Sequence, residues 1–433
     1  MTSPNGLRAI PTEDRAWLMT ALSDALRGGC PVLPVAPDTD PEAVAALQRA
    51  ELPEGTALVV RTSGSSGVPK AVALSADALR ASAEATHEEL GGPGQWLVAL
   101  PAHLISGLQM LVRSEASGIH PAFFDGPFDP ERLLAAADAM DADRRYLSLV
   151  PVQLARLLDL AESDELAAQS LARIDAVLVG GQAVSLALRT RAHKLGVQLR
   201  RSYGMTETAG GCVYDGVEIG DTRVRIRGGE VQLAGSSLAS GYVGDPDLTA
   251  ERFIDDTERD GSTTRWYRTG DAGELLGGML TVTGRLDRVL ISGGVNVSLD
   301  EIERVARDLP GWGSAVALAT EHPEWGQRPS LVVELAESGA EGALPFTEVR
   351  TAIRERLGAA AAPEWATEVE EIPRLAGGKP DLAALRAWRE RLSESFRESG
   401  AARTPVADAP AAARDERHQT ERGRTEQNTE EQE

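Results

Sequence analysis

The segment Arg61-Thr62-Ser63-Gly64-Ser65-Ser66-Gly67-Val68-Pro69-Lys70 packs hydroxyl side chains, two glycines and a terminal lysine into ten residues. Backbone N–H groups of such small residues can turn toward one anion, hydroxyls add donors, and the lysine adds a mobile cation; the chemistry offered is phosphate binding. A flexible Ser/Gly surface turn has the same composition, so other segments must decide. The chain carries only three lysines, Lys70, Lys194 and Lys379, among 44 basic residues, so a lysine here stands out. The loop is not a Walker A motif, because its glycines are three apart and Ala71 follows the lysine.

Three further sites could do chemistry. Thr206-Glu207 follows a strand: the carboxylate could hold a divalent cation against phosphates and the hydroxyl could donate to one, although a capping pair would read the same way. Asp271, in the tight turn Thr269-Gly270-Asp271, could accept two ribose hydroxyls, and Arg285, 14 residues on, could reach the same sugar; a surface ion pair is the plainer reading. Lys379 follows Gly377-Gly378 in a polar stretch, which places its cation on a mobile loop, or on an ordinary exposed turn.

The elements that must position these residues read as α/β. Ala176 to Val179, Gly180-Gly181, a helical stretch from about Ser185 to Leu195 and a strand ending at Tyr203 form a strand-helix-strand unit. In open α/β sheets ligands sit beyond the carboxyl ends of such strands, where Gly180, Gly181, Tyr203 and Gly204 fall. Ala71 to Glu89 and Pro130 to Met140 read as helices, and Pro151 to Leu160 continues the αβ alternation. After Arg223 short glycine-punctuated strands replace them: Glu230 to Leu233, Gly241 to Val243, Trp266 to Arg268 and Met279 to Val282. From Asp287 an α+β piece follows, with strands at Val289–Ser292, Ala315–Ala319 and Ser330–Glu334 and helices at Ser298–Asp308 and Phe346–Leu357. The expected organisation is an N-terminal domain over 1–286, its β-rich part at 223–286, a C-terminal domain over 287–395, and a disordered tail over 396–433.

Composition excludes several roles. The net charge of −22, with no basic cluster interleaved with aromatics, opposes binding to nucleic acid and to anionic membrane. No signal-peptide pattern or apolar run of membrane-spanning length is present, so the expected location is the cytoplasm. Cys30 and Cys212 are far apart without CxxC or His-rich company, which predicts two free thiols. A homodimer is compatible with the sequence but not specified by it.

Five segments in order, Arg61 to Lys70, Ser202 to Thr208, Tyr267 to Asp271, Gly284 to Arg288 and Gly377 to Pro380, resemble the acyl-adenylate-forming superfamily. The resemblance covers about Thr56 to Arg386. It implies a large N-terminal domain with doubly wound sheets plus a small β-rich subdomain, followed by a mobile α+β C-terminal domain. It implies ATP and CoA as substrates and Mg²⁺ as cofactor, held by Glu207. Thr62, Ser63, Gly64, Ser65, Ser66, Gly67 and Lys70 would bind ATP phosphates; Gly180, Gly181, Tyr203, Gly204, Asp271 and Arg285 would bind adenine and ribose. Lys379, Thr206 and Glu207 would be catalytic, and Asp287 would be the hinge. Ile291 to Asn296 resembles the loop that enters the site for thioester formation.

The acid is addressed by Leu100 to Ser114. If the segment is helical from Gly107, Leu108, Leu111 and Val112 form an apolar stripe, with Gln109 and Arg113 together on another face. A guanidinium would suit a substrate that keeps a second carboxylate, whereas an exposed arginine on an amphipathic helix needs no ligand. This segment and Ser202 to Tyr214 resemble the o-succinylbenzoate–CoA ligases of menaquinone biosynthesis, which implies that His103, Gln109 and Arg113 face an aromatic dicarboxylate. Many relatives carry histidine where this chain has Leu104. Another aryl- or acyl-CoA ligase, a freestanding enzyme loading a carrier protein, and a nucleotide-binding protein without turnover are the competing readings. The Lys70, Glu207, Asp271 and Lys379 set argues against the last.

Overall fold

The computed structural model describes residues 6–62, 70–257 and 261–399, with side chains through 391. Of the phosphate-loop residues, Thr62 and Lys70 are therefore placed, while Ser63, Gly64, Ser65, Ser66 and Gly67 lie outside the described residues, as does the expected tail from 400 on.

The architecture is mixed α/β, built on four sheets. The first runs in the order Arg8–Pro11, Val32–Val35, Thr56–Thr62, Lys70–Ser75 and Gly241–Tyr242. Two of these strands form an antiparallel hairpin that sets Thr62 opposite Lys70. The described ends of the candidate phosphate loop, Thr62 and Lys70, are thus paired strand residues. This corrects the helix expected from Ala71: residues 70–75 return as a strand whose apolar run Ala71-Val72-Ala73-Leu74 is buried, and the helix is Ala76–Glu89, capped by Ser75 Oγ accepting from the Ala78 N–H at 3.1 Å. Gly241–Tyr242 also changes place. It pairs with Lys70–Ser75 in this first sheet rather than joining the β-rich region.

The second sheet positions most of the chemistry. Its order is Val217–Glu218, Gly210–Tyr214, Leu199–Met205, Ala176–Val179, Arg145–Leu149, Gln95–Val98 and Ala122–Phe123. The five strands from Leu199–Met205 to Ala122–Phe123 are parallel, so their carboxyl ends share one edge. Crossover helices begin with local signals: Asp129 caps Pro130–Asp138, Pro151 opens Pro151–Ser163, and Ser185 caps Leu186–Lys194. Burial of Trp96, Leu97, Tyr146, Leu147, Val177 and Leu178 from adjacent strands makes the two faces of this sheet the main core.

The third sheet is antiparallel, in the order Arg223–Arg227, Glu230–Ala234, Thr263–Leu276 and Phe253–Thr257, with Met279–Arg285 also paired to Thr263–Leu276. The fourth joins Val295–Ser298, Val289–Ser292, Gly326–Glu334 and Val316–His322, with Ala366–Val369 parallel to Gly326–Glu334. It is covered by Leu299–Arg307, which buries Leu299, Ile302, Val305 and Ala306, and by Phe346–Leu357, which buries Val349 and Ile353. Among the described residues, no helix is long and apolar enough to cross a membrane.

Candidate active site

The carboxyl edge of the parallel strands carries the first half of the site. Leu199–Met205 runs into a single 3₁₀ turn, Thr206–Thr208, which ends at Ala209 in the left-handed region. Thr208 Oγ1 accepts from the Met205 N–H at 3.0 Å, which closes the turn, and Thr206 is buried within it. The Glu207 carbonyl accepts from the Ala239 N–H at 2.8 Å, and its Oε1 accepts from the Tyr242 hydroxyl at 2.8 Å. Lys70 Nζ lies 5.6 Å from the centre of the same tyrosine ring, so Lys70 and Glu207 both meet Tyr242. Burial pushes the Tyr242 phenol above its ordinary range, with the Glu207 charge adding to the effect, so it stays a donor at neutral pH.

The second half comes from the third sheet. Thr263–Leu276 and Met279–Arg285 form a hairpin whose register sets Asp271 directly opposite Arg285, which explains their 14-residue separation. Arg285 Nη1 lies 3.2 Å from Asp271 Oδ1, and the Tyr203 hydroxyl donates to Asp271 Oδ2 at 2.7 Å. Asp271 is only 8% exposed; burial raises its pKa, opposed by Tyr203, Arg285 and Lys379. Arg285 also holds Asp287 at 3.1 Å, so one guanidinium spans both carboxylates. Burial works against its charge, but the Asp287 hydrogen bond and the Asp271 charge hold its pKa above the ordinary value.

Lys379 reaches this pair from a turn in which the Leu375 N–H donates to the Lys379 carbonyl and the Gly378 N–H to the Leu375 carbonyl, both at 2.8 Å. The turn lies against the second sheet: a Cβ on Gly377 would stand 3.4 Å from Leu104 Cδ1, and one on Gly378 would meet Val150 Cγ2 at 2.9 Å. Gly181, with φ +80°, follows the Ala176–Val179 strand, and a Cβ there would sit 3.6 Å from Lys379 Cε. The lysine residue as a whole is exposed, yet its side-chain end is enclosed enough that burial lowers its pKa. Asp271 and Glu207 oppose that shift and Arg285 adds to it, which places the ammonium within electrostatic reach of all three. Gly180 and Gly204 line the same edge; their absent side chains leave room for the Ser202 and Gly210 carbonyls.

The expected acid-binding residues divide. His103 precedes the Ile105–Ser117 helix and is half-buried; burial lowers its pKa, and the Asp38 charge opposes that shift. Gln109 and Arg113 are buried on that helix, which has no solvated face from Gly107 to Ser114. Gln109 Nε2 donates to the Ala209 carbonyl, tying the helix to the turn that carries Glu207. Arg113 is 3% exposed, lies over Trp96 at 4.7 Å and donates to the Tyr214 hydroxyl at 3.4 Å. Among the described residues it makes no ion pair. His87 Nε2, Trp96 Nε1, Gln109 Oε1, Arg113 Nε and Ser114 Oγ are buried polar atoms without a partner there. Burial lowers the Arg113 pKa, and burial beside Arg113 brings His87 down to about 4, so His87 is neutral at pH 7.

The arrangement offers a carboxylate backed by a phenol, an Asp–Arg pair with a buried acid, and a loop-borne lysine within electrostatic reach of both. Among the described residues no three His, Cys, Asp or Glu side chains cluster as a metal cage. Tyr242 is the residue that sequence reasoning left unassigned; its only sequence signal was an aromatic beside Gly241 in a short strand. Both cysteines are free; Cys30 is exposed, and burial pushes the Cys212 thiol up to about 12, so Cys212 stays protonated at neutral pH.

Comparison with known proteins returns a consistent set. Residues 12–243 match the AMP-binding enzyme family. The probable 2-succinylbenzoate–CoA ligase of Mycobacterium tuberculosis is 37% identical over 381 residues, covering 86% of this chain and 94% of the relative. The 2-succinylbenzoate–CoA ligase of Salmonella typhimurium is 31% identical over 358 residues, covering 80% of this chain and 72% of the relative. Among solved structures, an Escherichia coli MenE variant with bound OSB-AMS superposes with a TM-score of 0.65 at 25% identity, covering 84% of this chain and 82% of that one.

Proposed function

The chain belongs to the AMP-binding enzyme family, and from that premise we propose that it is an AMP-forming acid–thiol ligase that joins o-succinylbenzoate to CoA in menaquinone biosynthesis. The observation that carries the choice of acid is Arg113, a buried guanidinium with no carboxylate partner among the described residues. A charge in that setting calls for an anion, and an aromatic acid that keeps a second carboxylate after activation supplies one.

In the first half-reaction a carboxylate oxygen of the acid attacks the α-phosphorus of ATP, the bond to the pyrophosphate leaving group breaks, and acyl-AMP forms. Lys379 and Thr206 face the charge that builds on the α-phosphate and attacking carboxylate. Asp271 accepts the ribose hydroxyls, Arg285 steadies Asp271, and the Tyr203 ring and the Gly180, Gly181 and Gly204 edge receive the adenine. Thr62, Lys70 and the loop between them hold the departing pyrophosphate. Glu207 fits Mg²⁺, since its Oε1 is oriented by Tyr242 and one carboxylate with phosphate oxygens and water is an ordinary set for that ion. Bound there, the ion would neutralise phosphate charge. In the second half-reaction the CoA thiolate attacks the acyl carbon and AMP leaves. Residues 287–395 form a mobile domain pivoting at Asp287, which carries Lys379 to the first step and Ile291 to Asn296 to the second.

The test is ATP- and CoA-dependent thioester formation with o-succinylbenzoate beside benzoate, octanoate and salicylate. The expected result is a clear preference for o-succinylbenzoate. A preference for a monocarboxylate overturns the choice of acid, and thioester formation with none of the four overturns the reading as a ligase.

A further inference from the structure

The turn that presents Asp271 is a bulge with a buried acid at its root. Glu230 is in register with Ala272 and Gln232 with Arg268, so the single residue Val231 on one strand faces Thr269, Gly270 and Asp271 on the other. Such a bulge leaves backbone groups without ladder partners, and buried ones must be satisfied elsewhere. The Gly270 N–H donates to Glu230 Oε1 at 3.1 Å, and the Gly270 carbonyl accepts from the Leu286 N–H at 2.9 Å. Thr269 Oγ1 donates to the Val231 carbonyl at 2.7 Å and accepts from the Asp271 N–H at 2.9 Å. Glu230 Oε2 accepts from Arg268 Nε at 2.9 Å and from Gln232 Nε2 at 3.3 Å, and the residue is 5% exposed.

Gly270 has φ +74°, a left-handed conformation that suits glycine, and its N–H and carbonyl are both held, by Glu230 and by the Leu286 N–H. We infer that Glu230 is a positioning residue for nucleotide binding: it fills the inside of the bulge, holds the Gly270 N–H, and so aims the Asp271 carboxylate at the ribose hydroxyls. This rests on the reading of Asp271 as the ribose acceptor. The alternative is that Glu230 only neutralises Arg268, whose side chain is 41% exposed. The two differ in what the carboxylate must reach. A clamp needs the full length of glutamate to the Gly270 N–H, whereas a counter-charge needs only a negative group near Arg268.

The experiment measures affinity for ATP and for 2′,3′-dideoxy-ATP by titration calorimetry on the full chain. The ratio of the two affinities reports the ribose contact and is insensitive to a general loss of stability. Asp271→Ala should abolish the preference for ATP. Glu230→Ala and Glu230→Asp should each lower it by about tenfold, the worth of one misaligned charge-assisted contact, while Glu230→Gln, which keeps length and an acceptor, should stay within about threefold of the parent. Arg268→Gln should leave it unchanged. Retention of the parental ratio in Glu230→Asp overturns the clamp, as does loss of the ratio in Arg268→Gln. The aspartate variant decides the matter if the alanine variant fails to fold. If Asp271→Ala itself keeps the preference, the ribose assignment falls and this inference with it.

Discussion

Replacing Arg113 by methionine should strengthen the fold and weaken acid selection at once. Methionine matches the length of the arginine stem and removes a buried charge that has no acidic partner among the described residues. Exchange of a poorly compensated buried ion for an apolar side chain of similar volume stabilises by about 1–4 kcal/mol. Against that stand the contact with Trp96, worth about 1–2 kcal/mol when desolvated, and a long 3.4 Å bond to Tyr214 that contributes little. The balance is a gain of about 1 kcal/mol without substrate, read as a higher urea midpoint with an unchanged slope. With substrate the sign reverses. Loss of a hydrogen bond to a charged group costs about 1.5–3 kcal/mol, so kcat/KM for o-succinylbenzoate should fall about 10- to 150-fold, while that for benzoate should change less than about twofold. A variant that is less stable than the parent and loses both acids equally would refute the reasoning and return Arg113 to a packing role.

Three other perturbations follow from the same geometry. Lys379→Ala should cut pyrophosphate release by about 100-fold or more while ATP affinity changes only a few-fold, because the ammonium acts on charge that develops during attack; unchanged release in a coupled pyrophosphate assay would exclude it from the step. Gly181→Val places branched carbons at a site where a Cβ already stands 3.6 Å from Lys379 Cε, in a backbone region that resists valine, so adenylation should fall while thioester formation from supplied acyl-AMP is preserved; equal loss of both would mean simple misfolding. His87 has a folded pKa of about 4 against 6.5 in the unfolded chain, so its contribution to stability is full above pH 6.5 and is lost as pH falls toward 4. At pH 5 the loss is about 2 kcal/mol, and His87→Gln should remove that part of the acid sensitivity in urea titrations at pH 7 and 5.

What could be read from the sequence was governed by the distance over which a pattern acts. Phe346–Leu357 is a helix within its predicted bounds because its period repeats over three turns. The separation of Asp271 and Arg285 is the length of one hairpin turning at Gly277-Gly278, a local signal. Ala71 to Leu74 gave no such signal, since four apolar residues in a row fit a strand or a buried helix equally, and only the return path from the loop decides for a strand. Arg113 was legible as a residue but not as a buried one. An amphipathic reading assumes a solvated face, and the Ile105–Ser117 helix is enclosed on every side from Gly107 to Ser114. The contacts of Tyr242 with Glu207, 35 residues away, and of Tyr203 with Asp271, 68 residues away, depend on how separate sheets meet, which no local pattern encodes.

The scarcity of lysine then acquires a physical reason. A chain of net charge −22 must draw in ATP, CoA and a dicarboxylate, all anions, so the cleft needs cations that its own acids have not already claimed. Arginine within reach of an acid is readily claimed, because its planar fork pairs with carboxylates in two-point geometry: among the described residues every ion pair within 4 Å is made by an arginine, and Arg113 escapes only because it is buried where no carboxylate lies. Neither Lys70 nor Lys379 makes one there; each is a point charge with no carboxylate at contact distance, Lys70 above the Tyr242 ring and Lys379 within the field of Asp271 and Glu207. Arginine at position 379 would be drawn to Asp271, where Arg285 already sits, and would arrive at the cleft neutralised. By this logic Lys379→Arg, which conserves charge, should impair adenylation nearly as much as Lys379→Ala. Near-parental pyrophosphate release from the arginine variant would show that charge alone suffices and that the choice of lysine carries no mechanistic weight.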